Sequence, residues 1–478
     1  MPRNRGRILL RRIVQGLVLV GFLATFFWLT PPRPSTSQLN VEPIHPWAPV
    51  FLLCLIDPLA SLAAFLASRS ASIWILVPVA VVASSLVFPR VFCSHVCPLG
   101  TLIDVVGLAG ARRSGTSFPR LRFIKFALLA AVVVVSALGL GVAGFVTPMP
   151  MLTRACREAA GLYEVSAILA TPWLWVLGVI LLLCLIRERF WCNVLCPSGA
   201  LLSLVSRFSL FKRVRTDACT SCKRCANACD FDAIRTDDFT TTTDCTYCGE
   251  CARVCPVDAI EYRTSLKPVP VRPGRRDFIA GTCVSAGLLA TGLPLGLRKS
   301  EARLRPPGAL PGDDFLARCI RCGLCAEACP GPAIHLATLS AGIAAYGTPY
   351  VNPLVAGCSP SCNNCGRVCP TGAIQHNPLR VKNRIILGTA CYRQDLCRPY
   401  GGDDTCPRYC EQVCTAAGHN AIVGGIEPRV DPNKCVGCGL CVKACIEGNA
   451  AEGIHFPTGA IAVTPKLVQT RMDPAVRK

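Results

Sequence analysis

Apolar residues in the first half of the chain form long runs rather than the spaced stripe of a soluble amphipathic helix. Residues 13–30, 72–88, 123–146 and 166–186 contain one charge among them, Lys125. Each is long enough to cross about 30 Å of hydrocarbon as a helix. They predict an α-helical membrane domain of four spans. A further run, 50–66, carries Asp57 and Pro58 at its centre. A charge inside lipid is costly, so this run is expected as an interfacial or re-entrant segment on the outer side. Beyond residue 213 the pattern changes to loops punctuated by short apolar pairs, Ala233-Ile234, Ala259-Ile260, Ala333-Ile334 and Ala373-Ile374. These predict small α+β modules in which each pair starts a strand and packs over a buried group. A fifth apolar stretch, 278–297, separates the modules into two sets.

Charge orients the spans. Arg3, Arg5, Arg7, Arg11 and Arg12 precede the first. Arg90, Arg112, Arg113, Arg120 and Arg122 fill the 89–122 loop, and Arg187 and Arg189 follow the fourth span. Basic loops stay cytoplasmic, so the N-terminus, the 89–122 loop and residues 213–270 are expected in the cytoplasm of a bacterial inner membrane. Counting 50–66 as a span would turn the basic loop outward. Pro31 and Pro32 follow the first run where a small-residue cleavage site would be expected of a signal peptide. The 478-residue chain is 51% hydrophobic with a net charge of +21. Its mean hydropathy of +0.43 is too high for a purely soluble protein. The arginines flank spans, and no aromatic-basic recognition motif accompanies them, which argues against nucleic acid.

Cysteine spacing carries the chemistry. Of 33 cysteines, 24 fall into six groups of four. Cys219, Cys222, Cys225 and Cys229 follow C-x2-C-x2-C-x3-C. So do Cys245, Cys248, Cys251 and Cys255; Cys319, Cys322, Cys325 and Cys329; and Cys435, Cys438, Cys441 and Cys445. This is the bacterial ferredoxin spacing for a [4Fe–4S] cluster, in which the fourth cysteine ligates the neighbouring cluster. Zinc ribbons space their knuckles differently, and disulfide frameworks suit short secreted chains. Crossed ligation predicts Cys219, Cys222, Cys225 and Cys255 around one cluster and Cys245, Cys248, Cys251 and Cys229 around another. A further group, Cys358, Cys362, Cys365 and Cys369, opens with an x3 gap. The last offers five cysteines for four places, and Cys391, Cys406, Cys410 and Cys414 are the expected set, with Cys397 spare. About six clusters make the chain a carrier of single electrons.

Cys93-x3-Cys97-Pro98 and Cys192-x3-Cys196-Pro197 form a duplicated motif at the cytoplasmic ends of two spans. An x3 gap sets both sulfurs on one helical face. As cofactor-binding residues the four suit a thiolate metal site or a redox-active dithiol set; a docking surface and buried packing are the alternatives. Quinone is the natural membrane partner, with His45, Asp57 and Glu164 as candidate proton-handling groups. Gly274-Arg275-Arg276-Asp277-Phe278-Ile279 resembles a twin-arginine export signal. Export of a folded, loaded domain keeps cluster assembly away from an oxidising compartment.

Together these features divide the chain into a membrane domain (1–212), a two-cluster ferredoxin domain (213–270), a twin-arginine-like transmembrane segment (271–300) and a four-cluster domain (301–478). Residues 1–263 resemble the NapH family of membrane quinol-dehydrogenase components, through the spans, both C-x3-C-P motifs and the two-cluster tail. Residues 272–478 resemble the NapG/MauM family of exported polyferredoxins, through the twin-arginine segment, residues 319–330, Gly347-Thr348-Pro349-Tyr350, the Cys391 to Cys414 group and residues 435–448. The resemblance implies that quinol oxidation at the membrane feeds a periplasmic acceptor, a cytochrome c or a reductase such as nitrate reductase. It also implies that the first of the four exported motifs pairs with the fourth, giving Cys319, Cys322, Cys325 and Cys445 around one cluster and Cys435, Cys438, Cys441 and Cys329 around another. A factor for assembly or maturation of a periplasmic redox enzyme is the rival expectation. How electrons cross between the cytoplasmic and exported modules is left open: through quinone, through a cofactor at the C-x3-C-P cysteines, or not at all if the modules serve different partners.

Overall fold

The computed structural model describes residues 2–29, 50–69, 73–108, 119–160, 172–271, 303–342, 344–403, 405–424, 428–455 and 458–465. The chain divides into two compact units, Met1–Phe26 with Leu52–Pro294, and Phe27–Phe51 with Leu295–Lys478.

In the first unit, α1 (Pro2–Leu29) is one unbroken helix. Its stretch Gly6–Phe27 is, among the described residues, the one helix long and apolar enough to cross a membrane. After α2 (Val50–Leu55) come α3 (Pro58–Ser68), α4 (Leu76–Val87), α5 (Pro98–Gly107), α6 (Phe123–Ala137), α7 (Pro148–Ala160), α8 (Pro172–Ile186) and α9 (Pro197–Val205). The 15 residues of α6 or of α8 rise about 22 Å. Of the four full-length spans expected from the apolar runs, the first is found as α1, and the described parts of the other three form shorter helices. The cause is local. The run 123–146 breaks at Gly139, with φ of +90°, and finishes in a 3-10 turn at Ala143–Phe145. The run 50–66 breaks at Asp57, whose carboxylate caps α3 by accepting from the amides of Leu59 (3.2 Å) and Ala60 (3.3 Å). Ser198 Oγ also donates to it, at 2.9 Å. Much of the basic loop, His45, Glu164 and the twin-arginine segment lie outside the described residues.

Helix α6 lies between α3 and α9, with Phe126, Leu129 and Val132 packed on Leu59, Ala63 and Ala200. Leu99 and Ile103 of α5 meet Met151 of α7 and Ile180 of α8. The module beyond α9 pairs β1 (Phe211–Arg215) with β2 (Ile260–Thr264), antiparallel, Arg213 opposite Tyr262. It is clamped to the helices. Asp244, 2% exposed, takes Arg90 (2.9 Å), Lys125 (2.5 Å) and Arg122 (3.5 Å). Those three cations hold its carboxyl far below the usual carboxylate range despite its burial. Asp232 pairs with Arg122 and Arg187.

The second unit contains three two-stranded antiparallel sheets: β3 (Ile334–Leu336) with β4 (Pro349–Val351), β5 (Gly388–Tyr392) with β8 (Ile461–Pro465), and β6 (Ile422–Val423) with β7 (Arg429–Val430). The apolar pairs behave as their spacing predicts. All eight residues are buried. Ile260 and Ile334 open strands, and Ile234 and Ile374 form isolated bridges to Thr241 and Ala309.

Candidate metal centres

Four cysteine loops share one backbone trick. In each C-x2-C-x2-C run, the residues on either side of the middle cysteine have left-handed φ: Ser221 and Lys223, Tyr247 and Gly249, Arg321 and Gly323, Gly437 and Gly439. A left-handed residue costs a non-glycine chain about 1–2 kcal/mol. Its repetition, partly at residues other than glycine, marks a required shape. Alternating handedness turns successive N–H groups inward, the concavity that holds anions and iron–sulfur clusters. The loop from Cys358 to Cys365 lacks the pattern, Asn363 having φ of −135°, in keeping with its different first gap.

The crossed neighbours follow. Cys229 lies within electrostatic reach of Cys245, Cys248 and Cys251. Cys225 is in reach of Cys219 and Cys222, and Cys225 and Cys255 pack on one apolar cluster with Ile234 and Ile260. In the second unit the first motif meets the second, where the family resemblance implied the fourth. Cys319, Cys322, Cys325 and Cys369 line one cleft. Cys329, Cys358, Cys362 and Cys365 line a cavity of about 310 Å³. Cys441 has Cys438, Cys410, Cys435 and Cys414 for neighbours, and Cys438 has Cys414 and Cys435. Cys445 and Cys410 are near Cys406, and so is Cys397. Cys397 is 7% exposed. Cys391 stands elsewhere, exposed on β5, its thiol toward the Ala462 carbonyl. The strand's alternation explains this: Ala390 and Tyr392 face the core cluster that includes Cys410 and Cys414, and Cys391 points away.

These sites suit the group implied by the spacing. Burial, then repulsion among thiols, pushes Cys245 and Cys329 up to about 12. Crowded buried thiols of this kind are deprotonated when a metal binds, the metal displacing the protons to solvent. Donors aim at the sulfurs: the amides of Ala233 on Cys229 (3.3 Å), Ile374 on Cys369 (3.4 Å), Ala390 on Cys435 (3.4 Å) and Ala421 on Cys414 (3.4 Å). The hydroxyls of Tyr262 and Tyr392 stand 3.8 and 3.4 Å from Cys251 and Cys410. Such contacts tune cluster potential. Neither tyrosine was flagged by the cysteine spacing.

The two C-x3-C-P motifs are built alike. Phe92–Val96 and Trp191–Leu195 are single π-helical turns, a form frequent at functional sites. Cys97 and Cys196 then cap α5 and α9, their sulfurs accepting from Gly100 (3.4 Å) and Gly199 (3.3 Å). All four cysteines come together, Cys196 lying in electrostatic reach of Cys192, Cys93 and Cys97. Arg90 and Arg189, each three residues before its motif and each with positive φ, are buried beside them. Extending the duplication to Arg-x-aromatic-Cys-x3-Cys-Pro-x-Gly finds both arginines in the sequence.

Thiol quartets on nested loops define an iron–sulfur electron-transfer protein of the ferredoxin type. Models described as 4Fe-4S binding domain match residues 71–117 and 169–216, residues 212–235, 241–261 and 316–335, and residues 427–450. The methylamine utilization ferredoxin-type protein MauM of Methylorubrum extorquens is 35% identical over 201 residues, 38% of this chain and 89% of that protein. The ferredoxin-type protein NapG of Escherichia coli is 35% identical over 190 residues, 36% of this chain and 81% of that protein. MauN of Paracoccus denitrificans is 34% identical over 148 residues, 30% of this chain and 49% of that protein. No solved structure matches significantly. The chain belongs to the NapG/MauM family of ferredoxin-type proteins, and it carries several [4Fe–4S] clusters.

Proposed function

We propose that this protein takes electrons from membrane quinol and delivers them to a periplasmic redox partner, a cytochrome c, a reductase such as nitrate reductase, or the electron-exchanging dehydrogenase of an amine pathway. Residues 1–212 act as a NapH-like multi-pass membrane domain, with 213–270 cytoplasmic, 271–300 the twin-arginine-like segment and 301–478 periplasmic. The observation that carries the membrane reading is the apolar surface of the first unit. Leu17, Val20, Leu76, Val79, Trp175 and Leu182 are each at least 45% exposed, and bare apolar area of this kind marks a membrane or partner surface. Helices near 22 Å insert where the bilayer thins locally.

Six quartets hold the clusters in this reading: Cys219, Cys222, Cys225 and Cys255; Cys245, Cys248, Cys251 and Cys229; Cys319, Cys322, Cys325 and Cys369; Cys358, Cys362, Cys365 and Cys329; Cys435, Cys438, Cys441 and Cys414; and Cys406, Cys410, Cys445 and Cys397. The last takes Cys397 in place of Cys391. Bound clusters supply reversible one-electron transfer. The chain supplies the thiolates, the amide and tyrosine donors to sulfur, and an apolar shell that excludes water. Full-length protein in sealed vesicles, given a reduced quinol under anaerobic conditions, should bleach its cluster absorbance. Unchanged absorbance in protein carrying full iron overturns the quinol link.

A further inference from the structure

Two arginines in the first unit are buried beside the C-x3-C-P cysteines, and their carboxylate partners occupy only part of each guanidinium. Arg90 is fully buried and Arg189 is 1% exposed. Each crosses to the opposite half of the duplicated motif. Arg90 Nη2 lies 2.9 Å from the place a Cβ on Gly199 would occupy, and Arg189 Nη1 lies 3.3 Å from that place on Gly100. A Cβ at either glycine would crowd the guanidinium that crosses over it. Arg90 gives Nη1 to Asp244 but has Nε and Nη2 without a hydrogen-bond partner. Arg189 holds Asp104 with Nε at 2.9 Å, and its Nη1 stands 3.2 Å from the Cys93 carbonyl and 4.0 Å from Cys192 Sγ. Buried guanidinium N–H groups without acceptors are costly, and Arg90 has Cys93, Cys192 and Cys196 in electrostatic reach, all free of disulfides.

From this we infer that Cys93, Cys97, Cys192 and Cys196 jointly hold one further iron–sulfur cluster, with Arg90 and Arg189 as the positioning residues that balance its negative charge. Each half matches a 4Fe-4S binding model yet supplies two cysteines where a cubane takes four. Joined, they complete a set. The surroundings fit electron transfer. Cys192, Cys196, Phe231 and Ala233 share one apolar cluster, and Cys97, Cys229 and Cys245 pack against it. Phe231 is the layer between, with Arg90 at 5.7 Å and Arg189 at 4.5 Å from its ring. The site therefore adjoins the quartet of the cytoplasmic module. The inference rests on the reading of the loops as cluster sites, and the test separates the two.

Anaerobically purified full-length protein should contain about 28 iron atoms per chain, and the Cys97→Ser/Cys196→Ser variant about four fewer, with labile sulfide falling in step. The EPR signals of the loop clusters should persist in that variant, which shows that the protein has folded. Should it fail to fold, Arg90→Gln serves. It keeps every cysteine, so iron is retained while one EPR component shifts to lower potential and the others stay. Equal iron in wild type and the cysteine variant, or one zinc per chain lost in place of iron, overturns the inference. So does an alkylation pattern showing a disulfide among these cysteines in the anaerobic wild type. Iron far below about 24 in the wild type, with the four-atom difference intact, instead counts against the loop assignments.

Discussion

The ferredoxin loops and the C-x3-C-P quartet present the same element by opposite means. In a loop, three cysteines fall within seven residues, and the left-handed residues flanking the middle one bend the chain around them. The fourth comes from a partner motif close by in the same module. The quartet is assembled from two halves about a hundred residues apart, each contributing a π-turn and a capping cysteine. Loop sulfurs are served by backbone amides, tyrosine hydroxyls and, at Cys225, the Arg213 guanidinium, whereas the quartet has two backbone amides and the Arg189 guanidinium at Cys192. A local site thus tolerates changes elsewhere in the fold. A split site depends on the whole helical unit being in register.

The sharpest way to test the loop side is at its irregular member. Cys397→Ser should remove about four iron atoms per chain, whereas Cys391→Ser should leave iron and EPR unchanged. The reverse outcome restores the spacing-based set. The split side should show a smaller, pH-dependent effect. Burial alone would raise the Asp104 carboxyl, but Arg189 and Arg11 outweigh it and hold it at about 2, below its ordinary 3.8. A depressed carboxyl stabilises the fold above pH 4 and loses that contribution as pH falls toward 2. The contribution is about 2 kcal/mol. Melting wild type beside Asp104→Asn from pH 7 to pH 2 should show a gap that closes only below pH 4; a constant gap would mean the pair is not electrostatic. The smallest expected effect is Gly249→Ala. Its φ is +85° and the nearest atom to a new Cβ is Ile8 at 3.9 Å, so backbone strain alone should cost about 1 kcal/mol. Gly437→Ala, whose Cβ would sit 2.5 Å from the Gly388 amide, should do far more damage. Equal melting shifts for the two would remove steric fit from the account.

What could be read in advance divides along the same line. Spacing reports a loop because its ligands are local, and the buried Ala–Ile pairs were visible for that reason too. It leaves the choice between Cys391 and Cys397 open, because strand alternation, which turns Cys391 outward, shows only once β5 is known to pair with β8. In the second unit Cys369 lies in the cleft of the first motif, and no gap length encodes a choice of neighbour. Hydropathy marked the apolar runs, and Asp57 marked the break in 50–66, but the break at Gly139 went unseen because it acts through backbone geometry. Arg90 and Arg189 read as ordinary basic flanks, and only packing brings each across to the other half.

The knot around Asp244 limits how the two-cluster module of the first unit can behave. A ferredoxin on a tether swings between docking stations, and its turnover slows as the medium thickens. Here Arg90, Lys125 and Arg122 converge on one buried carboxylate, Phe88 stacks on Phe211, and Leu210 joins the main chain of Leu86 at 2.7 Å. Cysteines of the module and of the membrane-side motif thus keep a fixed separation. With a cluster at the C-x3-C-P cysteines, hopping between them would be governed by distance and driving force, without a diffusive search.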